Sequence, residues 1–133
     1  LDPITFTVPG APVPQPRPRV STAGGFARAY VPKAHPVHAY RQMVQLAAID
    51  AGLRKTNAPV QVVIDAVFKR PPSHLTKTGI RKGAPAMPLP DVDNLAKAVL
   101  DAIGPILGND KQVRRLVVEK TYGTESRTTV RVQ

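Results

Sequence analysis

In ITFTV, residues 4–8, apolar and polar side chains alternate as a half-buried strand requires, and PG at 9–10 closes the run. The next stretch, APVPQPRPR at 11–19, holds too many prolines for a helix or a central strand. It predicts an extended, polyproline-like segment presenting Arg17 and Arg19. Alternation returns in GFARAYV, 25–31, which is expected to pair with 18–20 around TAGG. From about 36 to 54 the period becomes helical: Tyr40, Met43, Val44, Ala47 and Ala48 fall on one stripe, with Gly52 near its end.

The second half repeats the change of period. VQVVIDAVFKR, 60–70, reads as a β-branched strand with Val60, Val62, Ile64, Ala66 and Phe68 on one face. PPSHLTKTGIRKGAPAMPLP, 71–90, shows no periodicity and reads as a long structureless loop. A helix is predicted from about 92 to 103, with Leu95, Val99, Leu100 and Ile103 apolar, broken at Gly104–Pro105. GND at 108–110 reads as a turn. QVRRLVVEKTYG, 112–123, predicts a strand with Val113, Leu116 or Val117, and Val118 inside, and RTTVRVQ closes the chain as another. The expected fold is α/β: one domain over 1–133, a small mixed sheet packed with two helices.

Composition adds partners to this outline. The chain has 133 residues, enough for one domain with a real core, and its 15 prolines cluster in 9–36 and 71–90. It has no Cys, so disulfides and thiolate zinc sites are excluded, which fits a reducing compartment. No run approaches the roughly 20 apolar residues of a membrane span. The chain starts at Leu1, not Met, which leaves a trimmed start and a lost signal peptide open. A formal charge of +10 attracts polyanions, nucleic acid above all. With three Tyr, three Phe and no Trp, phosphate contacts are expected to outweigh base-stacking platforms.

Against that charge, residues 90–110 stand out. Four of the nine acids, Asp91, Asp93, Asp101 and Asp110, lie there with a single Lys97, so the window carries −3 and the rest of the chain +13. Magnesium takes oxygen ligands, commonly a few carboxylates completed by water and phosphate. Asp91 and Asp93 share a metal only if one stands in an extended turn before the helix, and Pro90 supplies that turn. Asp93 and Lys97 are i and i+4 neighbours, and Asp110 follows the turn after the helix. Singly, each acid has a plainer use: Asp91 as a helix cap, Asp93 at the helix dipole, Asp110 as a turn residue, Asp101 in an ion pair with Lys97. Together they suggest a metal at a small acidic centre ringed by positive surface, the layout of a metal-dependent nuclease. An EF-hand is excluded because Leu95 and Ala96 stand where an oxygen ligand and a glycine are needed. His35, His38 and His74 lack a two-histidine zinc pattern and are read as surface or core residues, and no P-loop, Rossmann or G-x-S-x-G pattern occurs.

At this point the sequence resembles the RusA family of Holliday-junction resolvases. VPGAPVPQPRPR is similar to the family's P-G-x-P…R-P-R element, and AYVPKAHPVHAY to its aromatic–x–P segment. PDVDNLAKAVLDAI is similar to the D-x-D-N-L-x-K-x-x-x-D-A signature, and LGNDKQVRRLVVEK to its D-D-x-Q-V…K turn and strand. The resemblance implies catalytic, metal-holding carboxylates at Asp91, Asp93 and Asp110, a catalytic lysine at Lys97, and one or two Mg²⁺ per site. It also implies a homodimer that nicks two opposed strands of a four-way junction and leaves 5′-phosphates, in a phage or prophage setting and hence a cytoplasmic one. Arg17, Arg19, Lys69, Arg70, Lys77, Arg81 and Lys82 are the expected DNA-backbone contacts. Leu89 stands where many members carry Lys, and Asn109–Asp110 where the turn usually reads D-D; the second acid is matched to the catalytic position. The alternative is a non-catalytic, structure-selective DNA-binding protein whose acids serve as caps and solubilising groups.

Overall fold

The computed structural model describes residues 2–133, apart from the side chain of Asp110. In chain order the elements are β1 (Ile4–Pro9), β2 (Arg19–Ser21), β3 (Arg28–Tyr30), α1 (Val37–Asp50), β4 (Val60–Lys69), β5 (Leu75–Thr76), β6 (Gly79–Ile80), α2 (Val92–Leu107), β7 (Val113–Gly123) and β8 (Arg127–Val132). One sheet runs β1-β8-β4-β7, with β8 antiparallel to both neighbours and β7 parallel to β4. A parallel pair needs a crossover. Here the crossover contains α2, which carries the acidic window back over the sheet.

The period-two strands and period-3.6 helices meet in one core. Val60, Val62, Ile64 and Ala66 of β4 present one face, joined by Phe6 and Val8 of β1 and by Val130 and Val132 of β8. Registers Val62↔Val132 and Ile64↔Val130 place these side chains opposite one another. Val37, Tyr40, Val44 and Ala48 of α1 and Val99, Ile103 and Leu107 of α2 cover them. Each such aliphatic side chain contributes about 1.5–3 kcal/mol on burial. The opposite face carries polar pairs, such as Thr7 Oγ1 and Thr129 Oγ1 at 3.2 Å. Among the described residues no helix is long and apolar enough to cross a membrane.

The structure departs from the sequence reading in four places. First, α2 runs through Gly104–Pro105 to Leu107. Pro105 removes one N–H, but Ile103, Gly104 and Leu107 are buried, and packing of that last turn outweighs the lost bond. Gly108, at φ 101°, ends the helix with its N–H donating to the Gly104 carbonyl at 3.1 Å. Second, residues 71–90 are not structureless: a 3₁₀ turn at Pro72–His74 leads into the antiparallel β5–β6 pair. Third, Leu116 and Val117 are not inside, being 41% and 37% exposed, because β7 forms an edge of the sheet. Fourth, Met43 lies at the border of its stripe and is exposed.

Candidate active site

Asp91 occupies the N-cap position of α2 with extended backbone, φ −70° and ψ 140°. Its carbonyl accepts the Leu95 N–H at 3.1 Å, but its carboxylate makes no capping hydrogen bond. A capping aspartate normally spends its side chain on the second or third helical N–H. Asp91 does not, so its oxygens are exposed and uncommitted. Asp93 stands in the first helical turn and is exposed as well. Both lie at the helix end where unpaired N–H groups and the dipole favour negative charge. The preceding peptide is fixed from the sheet: Lys120 of β7 donates its ammonium to the Pro90 carbonyl at 2.9 Å.

Lys97 lies one turn further along, its side chain 62% exposed, and its nitrogen is 3.7 Å from Asp101. Among the described residues its ion pair is with Asp101, not with Asp93. The same carboxylate is 3.7 Å from the Arg41 guanidinium of α1. Arg41 also donates to His38 Nδ1 at 3.1 Å and to the Gln15 side-chain oxygen Oε1 at 3.4 Å. Because arginine only donates and the Pro32 carbonyl only accepts, His38 must carry its proton on Nε2, which donates to Pro32 at 3.0 Å. Gln15, nearly buried, donates its backbone N–H to the Asn94 carbonyl at 2.9 Å. The proline-rich segment is therefore fastened to α2 next to the two aspartates, and it carries the exposed Arg17 and Arg19 just beyond.

The side chain of Asp110 lies outside the described residues. Its backbone opens a 3₁₀ turn, Asp110–Gln112, after Asn109, whose side-chain oxygen accepts the Lys111 N–H at 2.9 Å. Gln112 closes the turn by donating to the Thr56 carbonyl. Of the expected DNA contacts, Lys69, Lys77, Arg81 and Lys82 are exposed. Arg70 and Arg81 are engaged within the protein. Arg70 covers the Tyr122 ring at 4.2 Å and donates to the Pro85 carbonyl at 2.8 Å, while Arg81 Nε donates to the Ser73 carbonyl at 3.1 Å.

Among the described residues no three potential ligands come together; the Asp91 and Asp93 carboxylates, exposed and without a protein hydrogen-bond donor among the described residues, are of the hard oxygen type that magnesium takes. Gln15, His38, Arg41 and Lys120 escaped the sequence reading. Only Lys120 had a signal, its place at the end of the LGNDKQVRRLVVEK motif.

No match was found among curated proteins. The family model described as Endodeoxyribonuclease RusA matches residues 9–133, a span that takes in the proline-rich segment, both aspartates of the α2 turn and the edge strand with Lys120. A nuclease family thus accounts for nearly every residue of the chain, and the chain belongs to the RusA endodeoxyribonuclease family.

Proposed function

We propose that this chain is a Mg²⁺-dependent endonuclease that resolves four-way DNA junctions as a homodimer, one nick on each of two opposed strands, with 5′-phosphate products. The observation that carries the reading is the Asp91 carboxylate: it holds the N-cap position yet caps nothing, beside Asp93, in a protein of charge +10. Asp91, Asp93 and Asp110 would hold the metal, one or two ions per site. When bound, the metal supplies charge neutralisation at the scissile phosphate and a more acidic water.

The remaining work belongs to the chain. Lys97 offers an ammonium for charge that develops on the phosphate oxygens, a type of stabilisation worth a few kcal/mol. Asp101, held by Arg41 at 3.7 Å, limits where that ammonium can swing. Lys120 fixes the Pro90 peptide and with it the direction of the Asp91 side chain. Arg17, Arg19, Lys69, Lys77 and Lys82 meet the DNA backbone, and Arg70 and Arg81 brace the segment bearing the last two of these. A two-fold dimer presents the same site to two equivalent strands. A DNA substrate of this kind is met in the bacterial cytoplasm, where a phage- or prophage-encoded protein would act.

The test is incubation of an end-labelled four-way junction with Mg²⁺, with EDTA, and with the Asp91→Asn protein. Paired nicks that vanish in both controls are expected. Junction binding with no Mg²⁺-dependent scission would instead establish a structure-selective binding protein, with its acids left as helix-end charges.

A further inference from the structure

Beside the start of α2, the ends of β4 and β7 and the 71–90 segment line an open cavity of about 860 Å³. That is large among ligand pockets, which run roughly 300–1,000 Å³. Its walls combine two chemistries. Leu75, Ile80 and Met87 are 50%, 61% and 62% exposed, and with Tyr122 they form an apolar lining. Along the same walls lie Lys69, Arg70 and Lys120, opposed by the single acid Glu119. The Tyr122 ring is itself held in place, with Arg70 over it at 4.2 Å and His74 at its edge, centroids 5.6 Å apart. Folding gives no reason to leave three large apolar side chains exposed around one hollow; contiguous apolar surface marks an interaction site.

Charge selects the occupant. An apolar protein segment would match the lining and leave three cations facing it. A second copy of this chain, with nine acids against 19 Lys and Arg, would leave most of them unpaired, so the dimer contact of the reading above is assigned to another face. A flat apolar group joined to an anion satisfies both walls, and a nucleotide has that constitution. Within a duplex, however, the base faces are stacked on one another and only edges and phosphates are offered. We propose that the cavity receives one unstacked nucleobase of a branched DNA, the base against Leu75, Ile80 and Met87 and its flanking phosphates near Lys69 and Lys120. The inference rests on the DNA-cutting reading above and adds to it a physical reason to prefer branched over linear DNA. Lys120 lines the cavity and also donates to the Pro90 carbonyl at 2.9 Å, so the pocket and the Asp91 turn share a wall.

Met87 makes the test direct, because the chain has only two methionines and the other, Met43, lies on α1 outside the cavity. The intact protein, labelled with ¹³C at the methionine methyls, is titrated in EDTA with a four-way junction. The same junction with abasic sites at its crossover, and a linear duplex, serve as comparisons. The Met87 methyl is expected to shift upfield under the ring current of a base with the first DNA only, while Met43 stays still. Ile80→Ser, at an exposed position, is expected to lower the preference for junction over duplex by about tenfold, the equivalent of one modest base contact. A bound junction that leaves Met87 unmoved, or an equal shift with the abasic junction, overturns the pocket. Cleavage measured in parallel with Mg²⁺ separates the two claims. A junction that is cut while Met87 stays silent removes the pocket alone. A junction neither bound nor cut removes the nuclease reading with it.

Discussion

Tyr40 shows how much one buried polar atom can report. Its hydroxyl is 2.7 Å from Thr128 Oγ1, a pair that links α1 to β8 inside the core. Burial pushes the Tyr40 phenol above its ordinary value near 10, and the Thr128 hydroxyl opposes that only in part. The folded protein then keeps this proton at a pH where the unfolded chain has lost it. The contribution is therefore whole below about pH 10 and disappears as pH rises through the folded value. Tyr40→Phe should flatten the alkaline limb of a stability–pH curve. It should also cost about 1–3 kcal/mol at neutral pH, because Thr128 is left buried without its partner. Denaturant melts of both proteins at pH 7 and pH 11 check both halves of this expectation. At this scale the sequence was only partly legible. That Asp91 and Asp93 stand at the start of α2 and Lys97 one turn on could be read, because spacing within one element fixes it. The contacts of Gln15 and Arg41 could not, because each acts on a residue of another element, and no periodicity records which elements will touch; Lys120 was marked only by its place in the LGNDKQVRRLVVEK motif.

Among the elements, α2 decides most. It was legible as an apolar run with acids at its start, and its end was misread because Pro105 looks like a stop. The propensity argument at 105 is local, whereas Ile103, Gly104 and Leu107 are buried by strands far away in sequence. The true stop is Gly108, whose φ of 101° disfavours any residue with a Cβ. A Cβ there would also lie 3.2 Å from Lys55 Cγ, a contact that the flexible lysine can relieve. Backbone strain is then the main cost, about 1–2 kcal/mol. Gly108→Ala is expected to lower the thermal midpoint by roughly 3–8 °C, measured by calorimetry. The 71–90 segment was misread for a related reason. Two-residue strands are too short to display alternation, and Arg70 and Arg81, which look like free cations in the sequence, hold the segment's carbonyls.

For the molecule as a whole, the uneven charge sets the physics of binding. Five of the exposed cations, Arg17, Arg19, Lys69, Lys77 and Lys82, are those proposed to meet phosphates. Each phosphate neutralised contributes about −0.9 to the slope of log affinity against log salt, so one chain should give about −4 to −5. Lys77→Ala should reduce the slope by about 0.9, read from anisotropy titrations at several salt concentrations. Arg81→Ala should reduce the slope by less than Lys77→Ala, because its exposed guanidinium is already committed through Nε to the Ser73 carbonyl. This scale was legible from the start: composition and the −3 window are properties of the string and need no folding to be counted. The sheet order was not legible, since strand pairing is set by contacts between distant segments.

That order has a consequence for when the protein can act. Among the described residues β1 is paired only with β8, so Ile4 waits for Val132, and β4 takes one of its two partners from the same closing strand. The Asp91 turn in turn waits for Lys120, and the proline-rich segment cannot fasten before Asn94 exists. While β8 is missing, β1 has no partner among the described strands and β4 has only β7, so the sheet that backs the candidate site is complete only once its last strand has joined: the first and last strands close it in one event.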